Sequence, residues 1–288
     1  MKPPAFAYVA PSTVDELLGL LAQYGADARI VAGGQTLGPM LNMRMVSPAV
    51  LVDINNVAGL DKIEKRDAAI HTGALVRQRT TFEDRLVGAS QPLLPMALRF
   101  VGHFQTRTRG TLCGSIAHAD PTAELPLALL LLDGAVRLQA KRKTRIVSAS
   151  DFFEGALTTA RQPEEFIAGV QWPIVPETRY FFDEISVRHG HIAVAACAMM
   201  LQLDDDGVVT SPRLGVTGVS DRPLLVDVAG FVRRPATAEW AAELSRYVQG
   251  TVPTIDDLHA SAAYRRSAVG FLIRKMLADV PYRGGRTP

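Results

Sequence analysis

The sequence of 288 residues predicts an α+β chain in two parts, and three observations carry that prediction. Up to about residue 176, capped helices alternate irregularly with short apolar strands, one of which leads into a Gly-Gly loop. Pro173 and Pro176 then mark a linker. Beyond it, three longer strands run in succession and two helices close the chain. Strands grouped before helices, without strict strand–helix alternation, are the mark of an α+β fold.

The first helix opens with a capping box, Thr13 as N-cap and Glu16 three residues on, followed by Leu17, Leu18, Leu20 and Leu21. Gly25 is placed to end it. A short apolar strand over 29–32 runs into Gly33-Gly34, and another is expected over 50–54. Segments 61–64 and 68–72 flank Lys65-Arg66-Asp67 as a hairpin. Residues 92–101 are apolar at helical spacing. Asp120 as N-cap and Pro121 at the first helical position predict a helix to Leu132, with Gly134 just past its end. A hairpin over 136–139 and 145–147, turning through the solvated Lys141-Arg142-Lys143, and a strand over 165–172 complete the first part. In the second, 180–187, 192–203 and 208–219 read as strands, the last two joined across Asp204-Asp205-Asp206-Gly207. Helices are expected over 237–248 and 255–277. The last is assigned Thr254 as its cap and Leu258, Val269, Leu272, Ile273 and Met276 as its buried face.

Composition narrows the function classes. Hydrophobic residues make up 48% and charged residues 21%, as in ordinary globular proteins. A net charge of +2 gives no drive toward nucleic acid or an anionic membrane surface. No apolar run, that over 125–132 included, approaches the ~20 residues that span a bilayer. The first twelve residues hold three prolines and no apolar core, unlike a secretory signal. Two cysteines, Cys113 and Cys197, exclude a disulfide framework and cannot supply the four thiolates of an iron–sulfur cluster. A cytoplasmic protein is expected.

Two loops stand out. Val31-Ala32-Gly33-Gly34-Gln35-Thr36-Leu37 ends a strand in two glycines and a hydroxyl. Glycines admit positive φ and close approach, so successive N–H groups can converge on an anion. A plain tight turn uses the same Gly-Gly pair, and the spacing is neither that of a dinucleotide fingerprint nor of a Walker loop. The second loop, Arg109-Gly110-Thr111-Leu112-Cys113-Gly114-Ser115, has the same ingredients. Two such loops suit a long ligand with two phosphates or several polar groups. His118, Asp120 and Glu124 lack the spacing of a metal site. Asp120 is accounted for as a cap, and Glu124 complements a helix dipole. No serine sits in a nucleophile elbow.

These residues carry a resemblance. Ala32-Gly33-Gly34-Gln35-Thr36, with Asn42-Met43-Arg44 and Leu51-Val52-Asp53-Ile54 behind it, resembles the first FAD loop of the medium subunit of carbon monoxide dehydrogenases. The run 109–115, continued by Ala117-His118-Ala119-Asp120-Pro121, resembles its second loop, and Ala263-Tyr264-Arg265-Arg266 resembles its last helix. The similarity covers nearly the whole chain and identifies it with the FAD subunits of molybdenum hydroxylases, the xanthine dehydrogenase type included.

The resemblance implies a two-part FAD-binding domain of the vanillyl-alcohol-oxidase (PCMH) type over 1–176, with subdomains about 1–57 and 58–176. A smaller α+β domain of three strands plus helices follows over 177–288. It implies FAD held by Val31 to Leu37 and by Thr111, Leu112, Cys113, Gly114 and Ser115, with Asp120 and Glu124 as acidic contacts and Val101, Ile167 and Arg188 near the flavin. No catalytic acid, base or metal ligand is implied on this chain. A large subunit with a molybdenum cofactor and a small subunit with [2Fe–2S] clusters are implied as partners, in a dimer of heterotrimers. Departures are Thr36 and Cys113, where the family usually has Ser and Gly. A Cβ at 113 crowds the second loop if φ there is positive. Asp183-Glu184 stands where a lysine is common, and an acidic pair disfavours a reduced anionic flavin. The alternatives are a self-contained flavin reductase on the same fold and a flavin-free assembly module.

Overall fold

A computed structural model describes residues 2–278. It divides into two compact units, one made of 2–91, 102–119 and 133–173, the other of 92–101, 120–132 and the segment from 174 onward.

The first unit holds two main sheets. Strands β1 (Ala7–Val9), β2 (Ala28–Val31) and β3 (Val50–Asp53) form a parallel sheet in the order β1-β3-β2. Its covering helix, Val14–Tyr24, begins as the sequence predicts. Thr13 accepts from the Glu16 N–H, while the Glu16 carboxylate accepts from Ser12 N at 2.7 Å, and Gly25 ends the helix at φ 49°. β4 (Ile63–Arg66), β5 (Ala69–Gly73), β6 (Ala135–Ala140), β7 (Lys143–Ser148) and, after the small hairpin of β8 (Phe153–Gly155) and β9 (Thr158–Thr159), β10 (Phe166–Pro173) follow. Five of these form an antiparallel sheet, β4-β5-β10-β6-β7. Asp67 and Ala68, both with positive φ, make the tight turn that joins β4 to β5. One core joins the two sheets, running from Leu17 and Leu21 through Val52 and Ile54 to Leu75 and Phe166.

The second unit is built on β11 (Arg179–Ser186), β12 (Ala193–Leu203), β13 (Val209–Thr217) and β14 (Leu224–Val226), antiparallel in that order. β14 is a fourth strand beyond the three read from the sequence; three residues are too few to show an alternating pattern. Helices Leu93–Leu98 and Glu124–Leu131 pack on one face of this sheet. On the other face lie Ala238–Thr251 and Ala262–Leu277, around Met199, Leu214, Val216, Leu244 and Leu272.

Two helix starts differ from expectation. The helix expected from Asp120 begins at Glu124. Asp120 instead accepts from Thr122 N (2.8 Å) and Thr122 Oγ1 (2.6 Å), closing a local Asx turn. The last helix begins at Ala262, capped by Ser261 and not by Thr254. Asp256 and Asp257 accept from N–H groups at 259, 260 and 262, which holds the preceding segment as a loop and leaves Leu258 exposed.

Trp172 is fully buried on β10 and donates to Thr72 Oγ1 at 3.0 Å. Trp172→Ala is expected to lower unfolding free energy by about 3–5 kcal/mol, the usual cost of emptying a large core site. Urea titration of the purified variant measures it.

Candidate flavin site

In the first unit the two small-residue loops come together. A Cβ built on Gly33 falls 2.4 Å from Arg109 O and 2.8 Å from the Gly110 Cα, so only glycine allows this approach. Gly34 then turns at φ 68°, and helix Leu37–Asn42 follows. No partner for the N–H groups of Gly34, Gln35 and Thr36 is found among the described residues. Thr36 makes no side-chain cap bond, and Gln35 Nε2 donates to Gly33 O at 3.1 Å. A turn with free N–H groups, pressed against a second turn, is a cradle suited to an anionic group.

The second loop is pinned from below. Gln78 N donates to Gly110 O (2.9 Å) and Leu112 N to Val76 O (3.1 Å), and residues 77 and 111 form a β-bridge. Thr111, 2% exposed, caps helix Leu112–His118 by accepting from Gly114 N at 3.0 Å. A Cβ on Gly114 would lie 2.7 Å from that Thr111 hydroxyl, closer than ordinary contact, so a larger residue there would have to displace the buried hydroxyl. Cys113 does not crowd the loop. It lies within the helix, outside the positive-φ residues, and its thiol is directed inward to Gly73 O at 3.4 Å. Burial pushes that thiol up to about 12, so it stays protonated and unreactive. Ser115 is half-buried beside it, and Ile167 is buried on β10, against which this helix packs.

The other expected site residues lie in the second unit. Val101 is half-buried in the bend beyond helix Leu93–Leu98. Arg188 is exposed in the turn after β11, 2.9 Å from His191 Nε2. Asp120 closes its Asx turn, and that turn is tied to the sheet by Thr217 Oγ1 and Gly218 N, which both donate to Pro121 O. Glu124 is 8% exposed, and burial, reinforced by Glu184 and Asp120, pushes its carboxyl up to about 8. Glu184 is raised to about 7, chiefly by burial. Its neighbour Asp183 projects to the opposite face of β11 and pairs with Lys275 at 2.6 Å. The acidic pair read from the sequence is therefore split, one member paired with a lysine and the other raised toward neutrality by burial.

Sequence reasoning missed Asn55 and Arg77. Asn55 Nδ2 donates to Ala32 O at 2.8 Å, and Arg77 donates to Arg109 O at 2.6 Å and to Asn55 Oδ1 at 2.5 Å. Only the Asp-x-Asn spacing at 53–55, typical of an Asx turn, hinted at the first.

Residues 4–175 match the family model of the FAD binding domain in molybdopterin dehydrogenase, and 180–280 that of the CO dehydrogenase flavoprotein C-terminal domain. The first unit with its paired loops is thus a flavoprotein module of molybdopterin dehydrogenases. The 6-hydroxypseudooxynicotine dehydrogenase complex subunit alpha of Paenarthrobacter nicotinovorans is 37% identical over 291 residues, covering 100% of this chain and 98% of the relative. The nicotine 6-hydroxylase medium subunit of the same organism is 34% identical, with both chains fully covered. The structure of quinoline 2-oxidoreductase from Pseudomonas putida 86 superimposes with a TM-score of 0.92 at 33% identity, over 96% of this chain and 97% of that one. The chain belongs to the family of FAD-binding medium subunits of molybdenum hydroxylases. It carries FAD and works as one subunit of a multi-subunit oxidoreductase, with the molybdenum cofactor and [2Fe–2S] clusters on partner chains. No helix among the described residues is long and apolar enough to cross a membrane.

Gly33→Ala is expected to weaken FAD binding roughly tenfold or more, the effect of about 1.4 kcal/mol, because the loops can no longer touch; fluorescence titration with FAD reads it. A second expectation concerns pH. The Glu124 carboxyl is raised above its ordinary 4.5, so the stability it allows is complete below that value and is lost as pH rises toward about 8. In the FAD-free chain, the melting temperature of Glu124→Gln should therefore gain on wild type between about pH 5 and about pH 8.5. A constant difference would show that Glu124 does not titrate in this window.

Proposed function

We propose that the paired loops hold the FAD pyrophosphate, with N–H groups of residues 32–36 as donors on one side and Thr111, Leu112, Cys113, Gly114 and Ser115 on the other. The observation that carries this is the Gly33 contact with Arg109 and Gly110, which brings two distant glycine loops into one cradle. Val31 and Leu37 flank the first loop. Val101, Ile167, Asp120, Glu124 and Arg188 are assigned to the rest of the cofactor on the strength of the family match. Cys113 serves through its backbone, since its thiol is directed into the core. Glu124 stays a neutral carboxylic acid near pH 7 and can therefore donate a hydrogen bond as well as accept one.

When bound, FAD supplies the ability to accept and release electrons singly. The protein's part is to fix the cofactor and tune its surroundings, which is why no side chain here is assigned as an acid or base. The partners are a small iron–sulfur subunit, from which electrons arrive, and a large molybdopterin subunit where the organic substrate is oxidised, two copies of each trimer forming the complex. An external acceptor takes the electrons from this chain. Two buried free thiols, Cys113 and Cys197, suit a reducing cytoplasm. The names of the relatives make nitrogen heterocycles the first substrates to try on the assembled complex.

The absorption spectrum of the purified chain, taken before and after incubation with FAD, tests the assignment. A flavin spectrum with close to one FAD per chain is expected. A chain that stays colourless in excess FAD contradicts it.

A further inference from the structure

Asn55 and Arg77 lie outside both loops, yet their side chains reach the backbone of each. Asn55 is half-buried after β3, and its amide works in both directions. Nδ2 donates to Ala32 O at 2.8 Å and to Asp53 Oδ1 at 2.6 Å, while Oδ1 accepts from Arg77 Nη2 at 2.5 Å. The other arm of the Arg77 guanidinium donates to Arg109 O at 2.6 Å. Arg109 O is the atom that a Cβ at position 33 would meet first. The chain of contacts therefore runs from the first loop, through an amide and a guanidinium, to the second. It is anchored at its base by Asp53, which accepts from Asn55 N at 2.9 Å and from Tyr8 Oη at 2.6 Å.

The location is unfavourable for a cation on its own account. Burial and the neighbouring Arg109 both disfavour the charge on Arg77, with Asp53 the opposing influence. A side chain kept there against those effects, with its fork spent on one carbonyl and one amide oxygen, is set by geometry. A lysine cannot copy it, since a single ammonium lacks the planar fork that meets two oxygens at once. An aspartate at 55 cannot copy Asn55, since it has no donor for Ala32 O.

We propose that Asn55 and Arg77 are positioning residues that fix the spacing of the two FAD loops, clamping Ala32 O to Arg109 O so that the cradle is formed before the cofactor arrives. The inference rests on the FAD assignment above. Preorganisation of this kind lowers the cost of ordering loops on binding, so its loss weakens the ligand without removing any group that touches it.

The test compares the full chain with Arg77→Met, Arg77→Lys, Asn55→Leu and the Arg77→Met/Asn55→Leu double variant. FAD dissociation constants come from flavin fluorescence, and FAD-free melting temperatures are measured alongside. Each single Met or Leu variant should weaken FAD roughly ten- to hundredfold, as expected for losing a charge-assisted hydrogen bond. The double variant should be about as weak as the worse single one, because one clamp is broken in either case. Arg77→Lys should recover only part of the loss. Equal FAD affinity in wild type and variants overturns the clamp while leaving the FAD site standing. Multiplying effects in the double variant, or affinity losses that merely track lower melting temperature, also overturn it. A wild-type chain that takes up no FAD overturns the assignment on which the clamp depends.

Discussion

The contact of Gly33 with the Arg109 carbonyl and the Gly110 Cα is a constraint on which much of the first unit depends. It is a backbone-to-backbone contact with no room for a side chain, between segments more than seventy residues apart in sequence. For it to exist, the end of the parallel strand β2 and the loop before helix Leu112–His118 must be held at a fixed separation. The shared core between the two sheets sets that separation coarsely. The β-bridge at residues 77 and 111 and the hydrogen bonds of Gly110 and Leu112 then fix the second loop at the level of single atoms. Glycine at 33 follows from this contact and not from flexibility: backbone atoms of the second loop occupy the place of its Cβ.

Electrostatics in the second unit follow burial more than formal charge. Removal from water raises both Glu124, to about 8, and Glu184, to about 7, and the Glu184 carboxyl makes ionisation of Glu124 harder still. Asp183, one residue along β11 and on its opposite face, is exposed enough to pair with Lys275. Adjacent acidic residues in a strand thus meet two separate environments, as the period of two requires. Their effect on a cofactor cannot be summed as two negative charges.

The legible parts of the fold were those specified by local chemistry. Thr13 with Glu16, the short apolar strand before Gly33 and the Gly-Gly turn announce themselves over a few residues, and the structure bears them out. Where two local solutions competed, the sequence misled. Asp120 and Pro121 can start a helix, but the Asx turn to Thr122 and the tether from Thr217 and Gly218 to Pro121 O hold that segment outside it. Likewise Thr254 is a good cap in isolation, yet Asp256 and Asp257 bind the backbone N–H groups that a longer helix would need. Both glycine-containing loops were visible as loops, and the resemblance suggested their meaning. Their support was not visible, because Asn55 and Arg77 act through tertiary hydrogen bonds that leave no periodicity or spacing behind.

Hydrogen–deuterium exchange of the full chain with and without FAD tests the central claim most directly, because it reports on each loop separately. If the two loops form one cradle, FAD should slow exchange at 33–36 and at 111–115 together, at the same FAD concentration. Protection of one loop alone, or of neither while FAD binds elsewhere, would contradict the account.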